Sequence, residues 1–186
     1  MTVTIPDAPS FQEAIALTNK LIKAAADSNE DLDQGAIAKL TGSVNGSRGF
    51  FVSYLTVEES PAAQPTEPVL AALASNPETV NDILVKNVVM AAAMTVTHDR
   101  NGDQAMVAAS QRTSDRSAAH VNALLARTEL ARTEATADLE VRVRTMGQAL
   151  THGTGDYADF LDKWNYDAEQ RIEMAKAIAA IMDDLG

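Results

Sequence analysis

Asn76-Pro77-Glu78 opens a stretch that turns apolar on every side at Val88-Val89-Met90-Ala91-Ala92-Ala93-Met94-Thr95-Val96, and the reading of this segment decides the fold. Asn at a cap can accept a hydrogen bond from an orphan backbone N–H, Pro at the first helical position lacks a donor that would be unsatisfied there, and Glu78 suits the positive helix end. The segment therefore reads as a helix over about 77–97. A helix that is apolar all round needs neighbours on all sides, because a solvated face would leave Val, Met and Ala surface in water. The expectation is an all-α bundle of about seven or eight helices, a single domain over 1–186, with this helix at its centre.

Composition agrees. Aromatic residues are 4 % of the chain against 46 % hydrophobic residues, so the core is built from Ala, Leu, Ile, Val and Met. Small side chains let helix axes approach to about 8 Å, whereas a sheet asks for more β-branched and aromatic content.

The net charge of −11 is unevenly placed. Basic against acidic residues number 4 against 9 over 1–68, 8 against 9 over 69–150, and 3 against 8 over 151–186. An acidic surface repels phosphate backbones and anionic lipid heads, which argues against nucleic acid or a membrane as partner. The absence of cysteine excludes disulfides and thiolate chemistry. The start of the chain lacks the basic flank and apolar core of a signal peptide, and the longest apolar run is about half of what a membrane-spanning helix needs. The chain reads as soluble and cytoplasmic.

Ser10 and Glu13 have the spacing of a capping box, and Phe11, Ala14, Ile15, Thr18, Leu21, Ile22 and Ala25 follow at helical intervals, giving a first helix over about 11–26. Ser28 and Asp31 repeat the signal before a shorter helix that ends near Gly42. Residues 42–49, with three glycines plus Ser and Asn, have loop composition. Residues 50–57 carry strand propensity, but their one candidate partner is 2–5, so helix is preferred and a short two-stranded ribbon is the alternative. Pro61, Pro65 and Pro68 mark 58–68 as a linker. A short helix over about 69–75 precedes the central one.

His98 to Gln104 reads as a turn around Asn101-Gly102, with one long helix as the competing reading. Residues 104–126 and 128–150 are helical but polar, and Ser110 to Ser117 offers no apolar face, so this part is either solvated or met by a polar surface. Asp138 with Arg142 and Glu140 with Arg144 are acid-before-base pairs at helical spacing. In the acidic segment 156–186, a short helix over 156–164 leads to a last helix over about 166–184, capped by Asn165. Its stripe Ile172, Ala175, Lys176, Ile178, Ala179 and Met182 packs on one side.

No strong catalytic spacing is present, and no catalytic residue, metal ligand or cofactor is assigned. If the turn forms, His98 sits at it and His120 lies about 16 residues along the next helix, about 24 Å away, and if one helix runs through, the two are about 33 Å apart, at about 1.5 Å per residue. Only His98 and His152 can meet, as a metal-dependent hydrolase would require. Asp99 to Asp103 mimics the start of a calcium loop but lacks the bend-forming Gly and the closing Glu. Ser117 and His120 share a helix face without the sharp turn that presents a nucleophile.

Besides that third possibility, a metal-dependent hydrolase using His98 and His152, two functional readings stand ahead. The leading one is a non-catalytic interaction or regulatory module, homo-oligomeric or bound to a protein partner. Its polar middle helices, with Arg112, Arg116, Arg127 and Arg132, would pair with acidic ends of another subunit. The rival is a binder of a small apolar ligand or cofactor in a pocket along Asn87, Met90, Met94 and His98, which share one stripe of the central helix.

Overall fold

The computed structural model describes residues 3–130 and 134–184, and among them are nine α-helices, one 3-10 turn and no strand. The helices are α1 (Phe11–Ser28), α2 (Gln34–Thr41), α3 (Val44–Thr56), α4 (Glu67–Ala74), α5 (Pro77–Arg100), α6 (Gln104–Leu130), α7 (Glu134–His152), α8 (Ala158–Lys163) and α9 (Ala168–Asp184). The chain divides into two compact units, Met1–Ile83 and Leu84–Gly186, and the division falls within α5.

In the first unit α1 begins with the capping box read from the sequence. Ser10 Oγ accepts the Glu13 N–H, and the Glu13 carboxylate accepts the Ser10 N–H at 2.9 Å. The stripe Ala14, Thr18, Leu21 and Ile22 is buried, and the helix ends on Asn29 in the left-handed region at φ 54°. The cap of α2 is Asp33, whose carboxylate accepts the Ala36 N–H at 2.9 Å, in place of the expected Ser28 and Asp31. Ser28 instead donates back to the Ala24 carbonyl inside α1.

The largest departure from the sequence reading is residues 42–57. Ser43 caps Gly46 at 3.1 Å, and the glycine-rich stretch is the first half of α3, not a loop. The glycines serve close approach. A Cβ on Gly46 would lie 1.9 Å from the Leu40 carbonyl oxygen, and one on Gly49 would lie 2.5 Å from Ala14 Cβ and 2.6 Å from the Phe11 carbonyl oxygen. Backbone so near backbone lets α3 press on α1 and on the end of α2, and Ser53 Oγ reaches the Ile15 carbonyl at 3.3 Å. Phe50, Phe51 and Tyr54 then fill the core of the unit, with Phe50 stacked on Tyr54 at 4.9 Å between ring centres. The strand-like residues are therefore helical because burial of three aromatic rings outweighs a propensity scale that spans about 1 kcal/mol. No ribbon with 3–5 forms, and residue 2 lies outside the described residues.

The proline-rich segment is held, too. Ser60 donates to the Tyr54 carbonyl, Pro61–Ala63 makes a 3-10 turn with Ala62 fully buried, and α4 starts at Glu67 with Pro68 in its first turn. At the start of α5, Asn76 turns its amide to the Ala38 carbonyl at 2.9 Å and to Thr41 Oγ1 at 3.1 Å, while Thr79 donates to the Thr41 carbonyl. These bonds tie the helix start to α2.

In the second unit Val88, Val89, Ala91, Ala92, Ala93 and Val96 of α5 are buried, while Met90 is half-buried and Met94 exposed, so the apolar stretch is enclosed over most but not all of its surface. By length and hydropathy α5 passes as a membrane span, but 56 % of that window is buried inside the protein, the behaviour of a core helix. The helix stops where the sequence places a turn. Gly102 has φ +71°, Asp103 N–H reaches the His98 carbonyl and Gly102 N–H the Asp99 carbonyl, and Asp103 Oδ1 accepts the Met106 N–H to start α6.

One face of the polar run on α6 is buried, while Gln111 and Asp115 remain exposed. Ser110, Ser114 and Ser117 continue into Val121 and Leu124 at heptad-like spacing, and all five are buried. Ser114 Oγ donates to the Val88 carbonyl of α5 at 3.0 Å, and Ser117 Oγ to the Thr113 carbonyl of its own helix at 2.7 Å. Serines here act as small residues whose hydroxyls are satisfied by backbone carbonyls, so α6 lies close against α5 without an apolar stripe.

On α7 both acid-before-base pairs form, Arg142 with Asp138 at 2.7 Å and Arg144 with Glu140 at 2.9 Å. The Arg142 guanidinium also bonds the buried Tyr157, and Lys86 Nζ sits over the rings of Tyr157 and Phe160 at 5.6 and 5.2 Å. The cap of α9 is Asp167 and not Asn165, which instead takes the left-handed turn at φ 51°. Asp167 Oδ1 accepts the Glu169 and Gln170 N–H groups at 3.0 Å while its carboxylate pairs with Arg100 from the end of α5.

Candidate functional site

The central-helix stripe is graded from inside to outside. Asn87, Met90 and His98 are half-buried, and Met94 is 38 % exposed. They share a face of α5, as their spacing requires, but line no cavity that the second unit forms between α7 and α9.

The arginines expected at a subunit interface are not equivalent. Arg116 is 6 % exposed and lies inside its own fold, which removes it from the surface. Arg112 and Arg127 are half-buried, and Arg132 lies outside the described residues.

The three histidines occupy different environments. His120 is fully buried, and its Nδ1 donates to the Arg116 carbonyl at 2.7 Å. Burial pushes its pKa down from the ordinary 6.5 to about 4, helped by the Arg116 charge and opposed by the hydrogen bond to the Arg116 carbonyl. Ser117, three residues before it, gives its proton to a backbone carbonyl, so the pair is a packing device and not a nucleophile with its base. His98 is half-buried and His152 exposed. Among the described residues no group of three or more His, Cys, Asp or Glu side chains is gathered in a way that could hold a metal.

The face with chemical character is formed by α7 and α9. Gly147 brings the two helices together, since a Cβ there would lie 3.3 Å from Met182 Sδ and 3.4 Å from Ile178 Cγ2. Beside this contact is an open cavity of about 340 Å³. Its α7 wall is polar, with Arg144, Gln148, Thr151 and His152. The α9 wall is apolar, with Ala175, Ile178, Ala179 and Met182.

Sequence reasoning took α9 as a helix with one apolar stripe packed on one side. The structure packs α9 against both α6 and α7, and it shows two stripes. Met174, Ile178 and Ile181 are buried. Ile172, Ala175, Ala179 and Met182 run beside them, with Ile172 55 % exposed, Ala179 exposed, and Ala175 and Met182 half-buried. The signal was present as two interleaved sets at three- and four-residue spacing, 174/178/181 and 172/175/179/182. The stripe read from the sequence takes the outward set with one inward residue, Ile178, and leaves out the buried Met174 and Ile181. Two further large apolar side chains of this region are open to solvent, Val141 on α7 at 60 % and Trp164 between α8 and α9 at 55 %.

The chain belongs to the family described as uncharacterised conserved protein UCP020893, whose model matches residues 10–181. That span runs from the Ser10 cap of α1 to the buried Ile181 of α9. No curated protein and no solved structure matches the chain.

Proposed function

We propose that this chain is a non-catalytic interaction module that works by self-association through the α7–α9 face. The observation that carries the reading is the second, outward apolar stripe of α9. A helix that is apolar on two sides is stable with two layers of neighbours, and here one layer comes from α6 and α7 while Ile172 and Ala179 face solvent. A second copy suits the stripe. Ala175 and Ala179 are small enough for two α9 helices to approach closely about a two-fold axis, which would bring each stripe onto its own equivalent. The role first expected for Arg112, Arg116, Arg127 and Arg132 thus passes, in this reading, to aliphatic residues of α9.

Sedimentation of the full chain tests the proposal. The expected result is a reversible dimer that Ile172→Glu and Ala179→Glu each weaken at least tenfold, because a charge would be buried in an apolar contact. A strict monomer at about 100 μM, well above the micromolar affinity of ordinary specific contacts, would overturn it, as would a dimer indifferent to both changes.

A further inference from the structure

We infer that the cavity between α7 and α9 is a binding site for a small amphiphilic anion of the alkyl carboxylate type. The inference goes beyond self-association; the cavity shares Ala175 and Ala179 with that proposed contact, so the two are tested apart on Ile172→Glu, a position that does not line the cavity.

The division of the walls specifies the ligand class. A ligand site combines apolar surface with a few placed polar groups, and at about 340 Å³ this cavity is at the small end of the usual range. Ile178, Ala179 and Met182 supply a surface for a short alkyl chain, and Arg144 on the opposite wall supplies donors for its head. Among the described residues the Arg144 partner is Glu140, which takes Nε and Nη2 through one oxygen. A guanidinium carries five donors in a planar fork, so Nη1 remains for a carboxylate. Gly147 lines the same cavity, and any side chain there would take up the space between the walls. A neutral chain would leave the polar wall unused, and a cation would face Arg144.

The test uses the full chain with its methionine methyl groups labelled with carbon-13 and octanoate as probe. Met182 lines the cavity, and Met94 on α5 does not, so the two signals separate binding in the cavity from general adsorption. Octanoate is expected to move the Met182 signal saturably with a Kd of about 1 mM, ordinary for so small a ligand. Arg144→Gln should weaken binding about tenfold through loss of a charged hydrogen bond. Octylammonium should leave Met182 in place. The inference is overturned if Met182 shows no saturable shift up to about 10 mM octanoate, ten times that Kd, or if Met94 moves equally. Binding of octylammonium as tight as octanoate, or full binding by Arg144→Gln, would overturn the anion assignment. A wild-type chain that stays monomeric without octanoate would refute self-association alone, and the absence of a Met182 shift in Ile172→Glu, where no second copy competes, would refute the ligand site alone.

Discussion

His120 couples the interior of the second unit to pH. In the folded chain its neutral ring donates from Nδ1 to the Arg116 carbonyl, and burial holds its pKa at about 4 against the ordinary 6.5. Between those values the unfolded chain binds a proton that the folded chain refuses, so stability is full above about pH 6.5 and falls as pH drops toward 4. One pKa unit corresponds to about 1.4 kcal/mol, so this group costs about 2 kcal/mol between pH 7 and pH 5. Urea unfolding across that range should show the loss in the wild-type chain and a shallower pH slope in His120→Gln, whatever the stability of the variant at pH 7. Equal slopes would show that His120 is not the group responsible. Asp167 has the same sign by another route. The Arg100 guanidinium and the Gln170 N–H hold its carboxylate at about 2, so the α9 cap keeps its charge until well below the ordinary carboxylate range.

At the scale of elements, the contact between α5 and α6 rests on serine size. Ser114→Ala should cost about 1 kcal/mol, the net worth of its bond to the Val88 carbonyl. Ser114→Leu should cost about 3 kcal/mol, because a large side chain must separate two helices or leave its rotamer. A leucine that stabilised the chain would mean that the two helices are not in close contact there. Much of the fold could be read from local signals. The capping box at Ser10 and Glu13, the Asn101-Gly102 turn and the ion pairs of α7 depend on residues within a few positions of one another. What could not be read depends on partners far along the chain. Gly46 and Gly49 look like loop residues until Leu40, Ala14 and Phe11 are placed beside them. For Ser110 to Ser117, a solvated face and a polar partner surface cannot be told apart until the Val88 carbonyl is there to receive the Ser114 hydroxyl. The α7–α9 face was missed for a related reason, since its outward stripe and its core stripe are written in the same residue types.

For the whole molecule, a net charge of −11 acts on the proposed dimer as a long-range repulsion that the apolar contact must overcome. Salt screens exposed charges over about 10 Å at 0.1 M, so association through the α9 stripe should tighten between about 20 mM and 300 mM salt. An interface built on arginine pairing with acidic ends would weaken over the same series. Sedimentation at several salt concentrations therefore separates the aliphatic contact from the ionic one by the sign of a single trend.

The exposure of Trp164 has an optical consequence. It is the one indole of the chain, and it stands at the turn between α8 and α9 with more than half of its surface in water. Its emission in the native protein is expected to be close to that of a hydrated ring, so heat or urea should change its colour little. A blue shift in this protein will mean that something has come to rest on that turn.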